Sequence, residues 1–302
     1  MNDFIKSLVK KMPVVGKRYQ YYVDNYENSC FHPGHYYSPI VNVASLKQEA
    51  DDIWRPRQVA QIEGLDLNTD QQLVLLKELS QYYPEMPFKA EKQSGLRYYF
   101  NNDLFTQTDG TILYSMLRHF KPKQIIEAGS GHTSALMLDV NDAFFNKQIK
   151  LTFIDPEPQR LLSLLSPEDK KRVEIHETIV QNISLEKFRT LQENDILFID
   201  GSHVSKCNSD VNYVLFNILP ALNKGVVIHI HDIFYPFEYP QKWVFEGRNW
   251  NENYILRAFL MYNNAFEIIH FSDYLQIHYP EAFAAMPVTY EASGGNIWLR
   301  KR

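Results

Sequence analysis

The sequence predicts an α/β fold, a mostly parallel sheet with helices on both faces, behind an N-terminal segment of helices and loops. Three observations predict it. From about residue 110 onward, near-continuous apolar runs alternate with helical patterns, as in a parallel sheet buried on both faces. The first run, Gln124–Ala128, ends in a glycine turn, and the next, Lys150–Ile154, is closed by Asp155. At 302 residues, 45% hydrophobic and 22% charged, the chain can bury a large core as one elaborated domain or two small ones.

Taken in order, Phe4–Lys11 is a short basic amphipathic stretch. It reads as a capping helix, with contact to an anionic membrane surface as the alternative. Tyr19, Tyr21, Tyr22, Tyr26, Phe31, Tyr36 and Tyr37 form an aromatic segment punctuated by Pro33-Gly34 and Pro39. Packing on the core is the favoured reading, and part of an acceptor site is the other. Asn68-Thr69-Asp70 starts a helix over 71–79. Residues 1–95 contain no strand-turn-helix unit and are expected to form a cap, with the sheet domain over 96–302. A helix at 110–120 precedes the first strand, 124–128, and another follows the glycines. Strands are expected at 150–154, 173–176, 195–199 and 226–230, with a helix around 160–165. Two late apolar runs occupy 266–270 and 296–299.

The stretch Ile125-Ile126-Glu127-Ala128-Gly129-Ser130-Gly131-His132-Thr133-Ser134 is the most specific signal. Glycines at a strand end allow a sharp turn and close approach of a ligand to the main chain. In a doubly wound sheet that place is the switch point, where nucleotide-like cofactors bind. Asp155 can accept both hydroxyl hydrogens of a ribose. A nicotinamide-binding domain would have a third glycine where this chain has Ser134, and would give no reason for Glu127. Glu-x-Gly-x-Gly with an acid closing the second strand resembles the class I S-adenosylmethionine-dependent methyltransferases. The resemblance implies a Rossmann-like sheet of seven strands with the last antiparallel, which the two late runs fit. It implies that Glu127 helps hold the methionine end and Asp155 the ribose, with Gly129 and Gly131 shaping the turn. Asn182 falls in the loop that lies beside the adenine.

A second constellation sits at the next strand ends: Asp200-Gly201-Ser202-His203 and His229-Ile230-His231-Asp232. Ligands of open parallel sheets bind beyond the carboxyl ends of the strands. Both clusters should therefore share the crevice of the glycine turn. His229 and His231 point to one face roughly 6–7 Å apart and need not share one role. Carboxylates converging with a histidine can hold a divalent cation. Oxygen ligands suit Mg²⁺, and an imidazole shifts the preference toward Mn²⁺, Fe²⁺ or Zn²⁺. His203 has the chemistry of a general base. Asp-x-x-His after strand 4 with an acid pair after strand 5 resembles the metal-dependent sugar O-methyltransferases of the macrocin and mycinamicin type. By that match Asp200 and Asp232 are metal ligands and His203 is the base, while His231 departs from the pattern by replacing an acid. Tyr37-Ser38-Pro39-Ile40 and the two strand-end motifs are also similar to a bacterial group of class I methyltransferases.

The formal charge of −5 offers no basic field, so nucleic acid is not expected as a partner. Cys30 and Cys207 are the only cysteines and form neither a metal spacing nor a disulfide framework. With no bilayer-length apolar run and no secretory signal, a cytoplasmic location is expected. The aromatic loop Phe234-Tyr235-Pro236-Phe237-Glu238-Tyr239-Pro240, followed by Trp243, Arg248 and Trp250, reads either as a stacking surface for an acceptor or as a hydrophobic plug. The expected activity is metal-assisted O-methylation of a small-molecule or glycan acceptor by a chain compatible with a homo-oligomer. A non-haem iron oxygenase using His203, His231 and Asp232, and a non-catalytic binding protein on the same fold, are the competing readings.

Overall fold

The computed structural model describes residue 9 and residues 12–27, 29–55 and 59–302. The helix expected at Phe4–Lys11 lies, apart from Val9, outside the described residues. The chain divides into two compact units, Met1–Ile53 with Gln241–Asn249, and Trp54–Pro240 with Trp250–Arg302.

In the smaller unit, Val15–Glu27 and Val43–Gln48 are helical. Asn42 caps the second, its Oδ1 accepting from the Ala44 and Ser45 N–H groups. The expectation that the aromatic segment packs on the core is corrected here. Tyr36 is 80% and Tyr37 62% exposed. These rings lie against one another instead, Tyr36 on Tyr37 at 4.1 Å and Phe31 on His35 at 4.9 Å between centroids.

The larger unit is built on a seven-stranded sheet: β1 Gln124–Ala128, β2 Lys150–Ile154, β3 Glu174–His176, β4 Ile196–Ile199, β5 Val227–His231, β6 Phe266–Phe271 and β7 Asn296–Lys301. Their order is β3-β2-β1-β4-β5-β7-β6. β7 inserts between β5 and β6 and runs antiparallel to both, while β1 to β5 pair in parallel. The apolar runs become strands because both sheet faces are covered: Ile125, Ile126, Phe153, Leu197, Phe198, Ile228 and Leu299 are all essentially buried.

The domain boundary expected at residue 95 falls instead near residue 54. The Thr69–Ser80 helix buries Leu76 and Leu79 in the main core, and the Gln72 side chain accepts from the Phe271 N–H at 2.6 Å on β6. Residues 95–100 are tied down by charge. Arg97 donates to Asp139 at 2.6 Å and to both oxygens of Asp169, and Asp139 also accepts from the Arg97 and Tyr98 N–H groups.

The chain reverses its winding between β1 and β4, so the loops leaving these two strands diverge and open a crevice at their carboxyl ends. The Asp200 N–H, donating to the Ala128 carbonyl at 2.8 Å, closes its floor.

Candidate active site

The glycine turn is built against β4. Gly129 has φ +86°, and a Cβ there would overlap the Asp200 carbonyl. Both facts require glycine. Behind the turn Glu127 is fully buried, and its carboxylate accepts from the Thr133 and Ser134 hydroxyls. Ser134 Oγ in turn accepts from the Gly131 N–H at 3.1 Å. Burial pushes the Glu127 carboxyl up to about 8, against the lowering effect of the two hydroxyls. Glu127 thus ties the strand end to the start of the His132–Phe144 helix.

A cleft of about 450 Å³ opens beside the turn, lined among others by Gly129, Asp155, Ile179, Gln181, Asp200 and Ser202. Asp155 Oδ2 accepts from the Ser130 N–H and hydroxyl at 2.8 and 2.9 Å, and Oδ1 from the Glu157 N–H at 2.8 Å. A carboxylate has about four acceptor positions, so its own turn uses most of them. Asn182 is not among the residues that line the cleft. It ends the Val180–Asn182 turn exposed, its amide donating to Thr178, while Val180 and Gln181 form the wall. The single-residue step of a tight turn decides which neighbour faces inward.

The strand-end clusters converge as their positions predict. One ligand atom from each of Asp200, His231 and Asp232 lies within 4.8 Å of the others. His203 Nε2 is 3.5 Å from Asp200 Oδ1 and 3.4 Å from Asp232 Oδ2, and His231 Nε2 is 3.6 Å from Asp232 Oδ1. These are ionic contacts, too long for good hydrogen bonds. His203 and Asp232 both sit in the left-handed region, at φ 58° and 54°. Side chains rarely adopt that conformation without a compensating reason.

Two further acids complete the cluster. Glu252, 2% exposed, faces His203 Nδ1 at 2.9 Å, while the His203 carbonyl accepts from the Asn251 and Glu252 N–H groups at 3.0 and 3.2 Å. His203 and the start of the Glu252–Leu260 helix therefore hold each other. Asp109, buried in the first turn of the Gln107–Phe120 helix, accepts on Oδ1 from the Gly295 N–H at 3.1 Å and from the Asn296 amide. Neither acid is singled out by the sequence.

Burial lowers the basicity of His203, but Asp200, Glu252 and Asp232 outweigh it and raise its pKa well above the usual value. His231 is raised likewise, burial being overcome by Asp232, Asp200 and Asp109. Burial lifts Asp109 to about 6. Four carboxylates around two imidazoles leave a surplus of buried negative charge. That donor set fits a divalent cation, with Asp200, His231 and Asp232 as ligands.

The other histidines divide clearly. His229 is buried with its ring stacked on Phe198 at 3.8 Å between centroids, and burial pushes its pKa well down. His270 bonds Ser272 and burial holds it near 3. His176 pairs with Glu174, and His132 starts its helix against the edge of Tyr99. Phe234, Tyr235, Phe237 and Tyr239 are all buried, so that loop is a plug. Trp250, half-buried, keeps its ring 4.5 Å from that of His203.

Sheet order, glycine turn and cleft together define a class I, S-adenosylmethionine-dependent methyltransferase fold. The family described as "Methyltransferase domain" matches residues 126–233, which run from β1 through Asp232. A protein of Archaeoglobus fulgidus, described as uncharacterized, is 34% identical over 181 residues, 58% of this chain and 79% of that one. The chain belongs to this methyltransferase family. Among solved structures it is similar to the SAH-bound Podospora anserina methyltransferase PaMTH1, at 16% identity and a TM-score of 0.43 over 85% of this chain and 96% of that one. It is also similar to the O-methyltransferase TomG of Streptomyces achromogenes, at 12% identity and 0.40 over 83% and 96%. Among the described residues no helix is long and apolar enough to cross a membrane.

Proposed function

We propose that this methyltransferase alkylates a hydroxyl group of a small-molecule or glycan acceptor, with a divalent cation on Asp200, His231 and Asp232 and with His203 as the base. One observation carries the reading. The three ligand atoms lie within 4.8 Å of one another, and His203 Nε2 is at 3.4–3.5 Å from two of those residues, beside a cofactor cleft that Asp200 itself lines.

The methionine end of the cofactor would lie over Gly129 and Gly131, with Glu127 acting on it through the turn it braces. Asp155, with most of its acceptor capacity committed to Ser130 and Glu157, would take a ribose hydroxyl on Oδ1. The Ile179–Gln181 wall would face the adenine. A bound divalent cation supplies Lewis acidity, which lowers the pKa of a coordinated hydroxyl. S-adenosylmethionine, when bound, would supply the methyl group from its sulfonium, its carbon–sulfur bond giving way to a carbon–oxygen bond on the acceptor and its sulfur becoming a neutral thioether. The hydroxyl proton passes to His203 Nε2. For that nitrogen to be free, its own proton must leave first. Among the described residues the acids facing that nitrogen are Asp200 and Asp232, and both belong to the cation's ligand set. Glu252 keeps Nδ1 protonated and the ring aimed.

The test is calorimetric titration of S-adenosylhomocysteine and of Mn²⁺ into metal-stripped protein, followed by methyl-transfer assays with hydroxylated acceptors. Saturable binding of both, with the cation site lost in Asp200→Asn and Asp232→Asn, is the expected result. Cofactor binding without cation binding overturns the metal-assisted chemistry, and methylation of nitrogen or carbon alone overturns the hydroxyl acceptor.

A further inference from the structure

We infer that Asp109 is the outer partner of His231, holding the far side of its imidazole through one ordered water so that Nε2 faces the cation. The inference rests on the reading that Asp200, His231 and Asp232 bind a divalent cation.

His231 is 5% exposed and its two nitrogens have different surroundings. Nε2 is turned to Asp232, whereas Nδ1 is buried with no hydrogen-bond partner. An orphaned buried donor is costly and is normally met by protein or by internal water. The groups around this ring narrow the choice. Phe105 lies 5.2 Å away between centroids and offers no acceptor. His229 is stacked roughly parallel to this ring at 5.6 Å between centroids, and both its own nitrogens are likewise buried without a hydrogen-bond partner. On the next strand the cross-strand neighbour of His231 is Asn296, whose amide donates to Asp109 Oδ1 together with the Gly295 N–H. Both bonds fall on Oδ1, so Oδ2 keeps its acceptor capacity beside a ring that lacks an acceptor. Asp109 also acts on His231 electrostatically. A water between the two would satisfy Nδ1 and Oδ2 together.

The chemistry gives this arrangement a purpose specific to histidine. A ligating imidazole needs its second nitrogen protonated and anchored, and a carboxylate there fixes the tautomer and raises the basicity of the ligating nitrogen. A carboxylate ligand at residue 231 would have no use for it.

A double-mutant cycle tests this by calorimetric titration of Mn²⁺ into metal-stripped protein. Asp109→Asn keeps an oxygen for Gly295 and Asn296 and removes only the charge. It should weaken Mn²⁺ binding about 10–100-fold, with S-adenosylhomocysteine affinity unchanged. In the His231→Asp background the same substitution should cost less than about a third of that factor, because the imidazole it serves is gone. Unchanged Mn²⁺ affinity of Asp109→Asn overturns the inference. So does an equal loss in both backgrounds, which would make Asp109 a distant charge only. A wild-type protein that binds S-adenosylhomocysteine but no Mn²⁺ overturns the metal reading and this inference with it.

Discussion

Glu127→Gln should stabilise the protein, although it alters the motif that carries the cofactor turn. The carboxyl is fully buried and pushed from 4.5 up to about 8 by burial. Between those two values the folded state binds more protons than the unfolded state, so stability falls as pH rises. For one group of this kind the loss, relative to acid pH, is about 1 kcal/mol at pH 5 and about 3 kcal/mol at pH 7. Glutamine removes that slope. It also forces one of the hydroxyls of Thr133 and Ser134 to exchange its donor role, at roughly 1 kcal/mol. The variant should therefore be more stable by about 2 kcal/mol at pH 7 and about equal to wild type near pH 5. Urea denaturation at both pH values, with equal m-values, measures the difference. A variant that is destabilised at pH 7, or whose stability changes with pH in parallel with wild type, would show that Glu127 is ionised in the fold and refute the reasoning.

Three other outcomes follow from the geometry. Asp155→Ala should weaken S-adenosylhomocysteine binding by about 1.5–3 kcal/mol, read by calorimetry; unchanged affinity removes Asp155 from the ribose. Arg97→Met leaves Asp139, 0% exposed, without its cationic partner and Asp169, 3% exposed, with Arg172 alone, and should cost about 3–5 kcal/mol in chemical denaturation. A loss under 1 kcal/mol would mean that desolvation already cancels the network. His203→Ala should slow methylation about 10²–10⁴-fold with cofactor affinity near wild type, and near-normal turnover would take the base role from it.

The sheet was legible because β1, β2, β4 and β5 are largely apolar runs followed at once by glycine or aspartate, and burial on both faces permits little else. Convergence of Asp200, His231 and Asp232 was legible for a related reason: β4 and β5 are neighbours, and residues at adjacent carboxyl ends must meet. Glu252 was not, because it reaches His203 across 49 residues of sequence and an acid in a first helical turn is ordinarily a solvated one. Asp109 was hidden in the same way, its environment being set by β7 near the end of the chain. The unit boundary was missed because Gln241–Asn249 returns to the N-terminal unit, a long-range closure that composition does not record. Asn182 was misplaced by a single step of turn phase.

The cost of this site is concentrated at two strand ends. Around it the sheet is apolar and tightly buried, yet here two residues take left-handed backbone and four carboxylates surround two imidazoles. The acids shift both imidazoles toward their protonated form, and still outnumber them. A protein shaped for stability alone would put well-packed apolar residues in such a space. A divalent cation that binds only the folded state should recover part of that cost, by about 3 kcal/mol at a hundred times its dissociation constant. Thermal unfolding with and without Mn²⁺ reads this directly, and Asp200→Asn should abolish the gain. If Mn²⁺ leaves the unfolding temperature unchanged at concentrations that saturate the calorimetric site, the unfolded chain binds it as tightly and folding does not build the site. The surplus of acids would then have to be balanced by a cationic group on the acceptor.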